Sequence, residues 1–138
     1  MELTIQPRGY RWEFRSDEDL IAESIIDPTN DTSKARVRDF GQVVSERTGL
    51  FWRQRLSILV NGELEYCFQR SFRIDWFDRD RRVRCARGRA WAGETLAYSF
   101  PRHRQDRSNR RFCVELADPR YLPLAVVFFP IVFHLPLL

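Results

Sequence analysis

Residues 121–138 read Tyr-Leu-Pro-Leu-Ala-Val-Val-Phe-Phe-Pro-Ile-Val-Phe-His-Leu-Pro-Leu-Leu, an almost unbroken apolar run in a chain that is 30% charged overall. A helix on the surface of a globular protein keeps a polar stripe for water; one that is apolar all round must be enclosed all round. Two environments satisfy that demand, a bilayer or the inside of a closed sheet. Upstream, Asp118 and Pro119 read as a helix start, because the carboxylate accepts unpaired first-turn amides and proline at the first helical position loses no bond. The helix is expected over about residues 119–135. Pro123 fits its first turn, Pro130 removes an interior hydrogen bond and predicts a kink, and Pro136 predicts its end.

Working outward, Leu3 to Leu116 reads as a series of strands. Trp12 and Phe14, with Tyr10 before them, alternate with Arg11, Glu13 and Arg15, the period of a strand with one dry face. Asp17 to Ile26 fits either a helical turn or an edge strand, and Asp27 to Lys34 reads as a loop. Phe40 to Val44 reads as a short strand, Glu46 to Gly49 as a turn, and Leu50 to Val60 as the next strand. Asn61-Gly62 then marks a hairpin, since both residues tolerate positive φ. A three-residue loop, Asn61 to Glu63, sets Val60 opposite Leu64, Ile58 opposite Tyr66 and Leu56 opposite Phe68, placing all six on one side.

Further strands are expected at Phe72 to Trp76, at Val83 and Cys85 with Arg82 and Arg84 outward, at Leu96 to Phe100, and at Phe112, Val114 and Leu116. Gly88 and Gly93 interrupt the pattern around Trp91. Seven or eight amphipathic strands and one late apolar helix complement each other. Closing the sheet around the helix buries both apolar surfaces and removes the exposed edges. The expected architecture is therefore mainly β: an antiparallel closed β-barrel of successive hairpins, its interior threaded by the C-terminal apolar helix. At 138 residues the chain is expected to be a single domain, 1–138.

Composition narrows the chemistry. The net charge is +4, and Lys34 is the one lysine among 23 basic residues. Guanidinium suits phosphate recognition. Cys67, Cys85 and Cys113 are widely spaced and odd in number, which points to reduced core thiols rather than a disulfide framework or zinc site. The N-terminal residues lack the apolar stretch of a secretory signal, so a cytoplasmic location is the simplest expectation. There is no Gly-rich phosphate loop, nucleophile elbow or HExxH pattern, so the sequence points to a protein that is not an enzyme and uses no cofactor. His134 in the apolar run is better explained by packing than by catalysis. Asp75, Asp78 and Asp80 are interleaved with Arg79, Arg81 and Arg82, a pattern of a solvated turn rather than of a cation site.

The candidate binding residues are arginines. Arg79, Arg81, Arg82, Arg84, Arg87 and Arg89 lie in one hairpin region; Arg102, Arg104, Arg107, Arg110 and Arg111, with His103, lie in the next long loop. Folded together they would form one cationic surface suited to clustered phosphates.

The order of features resembles the tubby-like superfamily, which includes tubby C-terminal domains, phospholipid scramblases and LURP-one-related proteins. The resemblance covers about residues 37–138. It is carried by the hairpins Leu-Ser-Ile-Leu-Val-Asn-Gly-Glu-Leu-Glu-Tyr and Phe-Arg-Ile-Asp-Trp-Phe-Asp-Arg-Asp-Arg-Arg-Val, by Phe-Cys-Val-Glu-Leu-Ala-Asp-Pro, and by the apolar segment that follows. The chain is shorter than the family pattern, has no counterpart of the scramblase calcium-binding segment and carries Pro130 in the helix, so scramblase activity does not transfer. The resemblance implies a binding or scaffold module whose basic surface meets acidic phospholipids, peripheral at a membrane. Two other readings compete: a C-terminally anchored membrane protein, with Arg110, Arg111 and Arg120 flanking the span, and a nucleic-acid-binding protein with Trp76, Phe77 and Trp91 as stacking platforms.

Overall fold

The alternation of apolar and polar residues becomes strand after strand, each paired antiparallel with the one before. The computed structural model describes residues 1–27, 32–49, 53–70 and 75–133. These form β1 (Glu2–Arg8), β2 (Arg11–Ser16), β3 (Asp19–Asp27), β4 (Thr32–Val37), β5 (Gly41–Thr48), β6 (Arg55–Val60), β7 (Glu63–Arg70), β8 (Trp76–Asp78), β9 (Val83–Ala86), β10 (Arg89–Ala92), β11 (Thr95–Ser99) and β12 (Phe112–Leu116). A 3₁₀ turn, Pro119–Tyr121, then leads into helix α1 (Leu122–Phe133). The strands follow one another around a closed twelve-stranded barrel, and β12 returns to pair with β1 in the register Leu3↔Val114 and Ile5↔Phe112. The sheet therefore has no free edge.

α1 occupies the interior. Leu122 through Phe129 are all buried, which is why the segment carries no polar stripe. The Phe129 ring meets Trp12, Phe14, Phe100, Phe112 and Phe133 at centroid distances of 5.2 to 6.1 Å, while Phe128 meets Phe68 on another part of the wall at 5.2 Å. Each Leu, Val or Phe so enclosed contributes about 1.5 to 3 kcal/mol through burial. The helix lies off centre, packed on β3 and β4. The buried positions of that sector are small or medium, Ala22, Ser24, Ala35, Val37, Val43 and Ser45, whereas aromatics fill the remaining interior. The Asp118 side chain accepts the Arg120 amide at 2.9 Å, the cap expected at the helix start. The helix continues through Pro130 to Phe133, the last described residue. His134 and Pro136 lie outside the described residues.

Several local expectations change. Twelve strands replace seven or eight. Asp19–Asp27 is a full strand, Thr32 to Lys34 belong to β4, and Glu46 to Thr48 extend β5, leaving the turn at Gly49, where φ is +91° and the Arg53 carbonyl oxygen packs close. Tyr10 sits in the β1–β2 turn, 61% exposed, rather than facing inward. The residues around Trp91 form β10. At the Asn61-Gly62 hairpin, Leu56↔Phe68 and Ile58↔Tyr66 pair as expected. Beyond them a bulge between Ile58 and Leu59 gives Leu59↔Leu64 and Val60↔Glu63 around a two-residue turn. The expected strand at Phe72 to Ile74 lies outside the described residues.

Candidate functional site

In an antiparallel meander, turns alternate between the two ends of the barrel, so topology sorts charges that the sequence interleaves. The β1–β2, β5–β6, β9–β10 and β11–β12 connections share one end. With the strand residues that flank its turns, this end carries Arg8, Arg11, Arg53, Arg55, Arg70, Arg87, Arg89, Arg102, Arg107, Arg110 and Arg111. Against them stand Asp75 and Asp106 among the described residues, with Glu13 and Glu23 pairing Arg8 at 3.9 Å and Arg11 at 3.4 Å. The opposite end carries Asp17, Glu18, Asp19, Asp39, Glu63, Asp78, Asp80, Glu94 and Asp118, with Glu2 beside them, against Arg38, Arg79, Arg81, Arg82 and Arg120. A modest net charge is thereby converted into a strong axial polarity.

The long β11–β12 connection is built to hold its arginines outward. Gln105 extends its side-chain amide along β12, Nε2 donating to the Cys113 carbonyl at 2.8 Å and Oε1 accepting the Cys113 amide at 2.9 Å. It stands in for a strand where β11 has already ended. Asp106 and Arg111 exchange backbone bonds of 2.8 and 2.9 Å. The Asp106 carboxylate accepts Asn109 Nδ2 at 2.8 Å and the Asn109 amide at 3.2 Å, bonds that lower its pKa. Arg110, with φ at 52°, lies over the Trp12 ring at 5.2 Å, and Arg107 lies over Phe133 at 5.6 Å. Both guanidiniums lie at the end of the barrel that α1 reaches at Phe133.

The arginines expected from sequence are divided by this geometry. Arg87, Arg89, Arg102, Arg107, Arg110 and Arg111 come together at one end, exposed and with no ion pair among the described residues. Arg104 is drawn along β12 to the facing carboxylates Glu2 and Glu115, ion-pairing Glu2 through both terminal nitrogens and reaching Glu115 at 3.8 Å. It relieves a like-charge cross-strand pair and lowers the Glu2 pKa. Arg84 stands on the outer wall, over Trp91 at 4.5 Å and 4.0 Å from Asp75. Arg79, Arg81 and Arg82 lie at the acidic end, Arg81 bound to Glu65 at 2.9 Å. They are separated from Arg87 by the four residues of β9, about 13 Å of strand, so the two runs do not join into one surface.

Arg8, Arg11, Arg53, Arg55 and Arg70 escaped the sequence reading because they belong to distant hairpins. Knowing the strand count, and with it which turns share an end, would have found them. Arg47 and Arg70 converge on Gln54 Oε1 at 2.9 and 3.0 Å and stack over Trp76 at 5.4 and 5.8 Å. Trp76 is thus buried, Trp91 is covered by Arg84, and Phe77 alone of the three candidate stacking rings is well exposed, on the outer wall. Asp78 is also buried, not solvated: Oδ2 accepts the Cys67 amide at 3.0 Å and Oδ1 the Arg81 amide at 3.1 Å, fixing the β8–β9 turn. Among the described residues no three His, Cys, Asp or Glu side chains converge to hold a metal ion, and no helix is long and apolar enough to cross a membrane. A cleft of about 650 Å³ along β3, β4 and β5 is lined by Glu23, Arg36, Arg38, Asp39 and Phe40, whose charges balance.

Fold and charge together define a class: a closed antiparallel meander barrel built around its own C-terminal helix and presenting one cationic end. Comparison of the chain with models of known families, with curated proteins and with solved structures finds no match.

Proposed function

We propose that this protein is a non-catalytic binding module whose arginine-rich end contacts anionic phospholipid headgroups, working as a peripheral protein on the cytoplasmic side of a membrane. The observation that carries this reading is the axial sorting of charge. Among the described residues, six exposed arginines without ion pairs stand at one end, and most acids outside the strand interiors stand at the other. Near an acidic bilayer each such arginine contributes on the order of 1 kcal/mol, and the acidic end is repelled, so attraction and orientation come from the same distribution. Arginine adds bidentate geometry toward phosphate oxygens. The tubby-like resemblance supports the same reading, since a barrel closed around a helix is the fold it implies. α1 is enclosed by the barrel wall, which favours this reading over a membrane anchor made from the same segment. The burial of Trp76 and the stacking of Arg84 on Trp91 favour lipid over nucleic acid.

The test is flotation with phosphatidylcholine vesicles with and without phosphatidylserine. Binding is expected only with the acidic lipid, fading as salt rises. The triple variant Arg87→Gln, Arg102→Gln, Arg111→Gln should lose it, while Arg79→Gln with Arg82→Gln should not. Equal losses from both variants, or no binding by the parent protein, would sink the proposal.

A further inference from the structure

Tyr10 is the one strongly exposed aromatic at the cationic end among the described residues. It is 61% exposed at the tip of the β1–β2 hairpin, between Arg8 and Arg11. Gly9 supplies the positive φ of that turn, +63°, and a side chain added there would meet nothing within 4 Å, so the tip projects clear of the barrel. Arg8 is 77% exposed, and Arg11 lies 5.4 Å from the Tyr10 ring centroid. The neighbouring β11–β12 connection is fixed against this hairpin by Arg110 on Trp12, two residues beyond Tyr10. An amphipathic ring is thus held at the edge of a guanidinium field, Arg11 its one described partner, lying over the ring and donating to the hydroxyl at 3.5 Å. Tyrosine in that setting partitions to the headgroup layer of a bilayer, where the ring meets the apolar side and the hydroxyl stays wet.

We infer that Tyr10 is an interfacial anchor: the barrel docks end-on, with the arginines on anionic headgroups and the β1–β2 tip entering the headgroup layer between them. This rests on the lipid reading above and adds to it a specific inserting residue and a fixed orientation. The sorted charge selects which end faces the membrane; a single inserted ring beside β12 adds which side of that end lies deepest.

The experiment uses the full chain, its Tyr10→Ala and Tyr10→Trp variants, and phosphatidylcholine–phosphatidylserine vesicles with and without brominated acyl chains. Tyr10→Ala is expected to bind about fivefold more weakly, the effect of removing part of one aromatic side chain from the interface. Its dependence of binding on salt should match that of the parent, because no charge is lost. Tyr10→Trp should gain fluorescence that brominated lipid quenches, over the background of the four native tryptophans. Unchanged unfolding temperatures confirm that the exposed position tolerates both changes. If the parent binds acidic vesicles but Tyr10→Ala binds equally well and Tyr10→Trp is not quenched, the anchor is refuted while the cationic end stands. If the parent does not bind acidic vesicles, the lipid reading itself fails. Quenching of Tyr10→Trp by single-stranded DNA but not by vesicles would overturn the lipid assignment and make Tyr10 a base-stacking residue.

Discussion

Replacing Phe129 by alanine tests whether the apolar segment is the barrel's own core. Phe129 is fully buried and its ring is within aromatic contact of five others, contributed by β2, by β12, by the residue after β11 and by α1 itself. Truncating a buried phenylalanine costs about 3 to 5 kcal/mol. The upper part of that range applies here, because edge-on ring pairs add about 0.5 to 1.5 kcal/mol each and a closed barrel cannot collapse into the hole. With an unfolding entropy of about 2.1 cal/mol/K per residue over 138 residues, a loss near 5 kcal/mol lowers the unfolding temperature by roughly 17 °C. Phe77→Ala is the matched control: that ring is 44% exposed on the outer wall, and its loss should fall within about 0.5 kcal/mol. Urea titration and thermal melts of both variants without detergent make the comparison. A Phe129→Ala loss as small as that of Phe77→Ala would show that α1 is not packed inside the sheet, and the enclosure argument would be refuted.

Asp78→Ala leaves the Cys67 and Arg81 amides without their acceptor and should cost about 2 to 4 kcal/mol by urea unfolding, with Asp78→Asn recovering part of it; a change under about 0.5 kcal/mol would contradict the buried-cap assignment. In the folded protein at pH 8, iodoacetamide should modify Cys67, which is half-buried, and spare Cys85 and Cys113, whose thiols burial pushes upward, Cys113 up to about 11. Mass spectrometry showing Cys85 alkylated before unfolding would refute this. The Arg104 ion pair holds the Glu2 carboxyl below its ordinary pKa. Its stabilising effect is therefore complete above the unfolded-state value and is lost as pH falls through the lower folded one. The unfolding temperature should accordingly fall less steeply with acid in Glu2→Gln than in the parent, and identical acid limbs would refute the linkage.

Much of the architecture was legible because two periods are unambiguous. The alternation in β12 and the uniform apolarity of α1 are strong signals, and together they demand a closed sheet. The missed strands have a physical cause. β3 and β4 face the helix with small side chains, Ala22, Ser24, Ala35 and Val37, because α1 lies against them, so these inward positions do not stand out as hydrophobic. β8 to β10 are only three or four residues long, too short to establish a period. The same miscount hid the site. Arg79 and Arg87 are eight positions apart and read as one basic run, yet the single strand between them carries the chain from one end of the barrel to the other. The bulge beside Ile58 illustrates a finer limit: the residue pattern demanded an irregularity in that hairpin, and backbone geometry moved it from the loop into the strand.

Pairing of β1 with β12 also governs how the chain must be made. Glu2 meets Glu115, so β1 has no partner on one side until β12 is synthesised. At typical rates of about 5 to 20 residues per second, that interval is roughly 6 to 23 s. Throughout it the growing sheet is an open, curling ribbon with its apolar face uncovered, since the helix that fills it is translated later still. Such a ribbon is prone to pairing with a neighbouring nascent chain. Closure therefore waits for β12 and has a large loop to close, and early translation termination anywhere before α1 releases a sticky fragment rather than a smaller barrel.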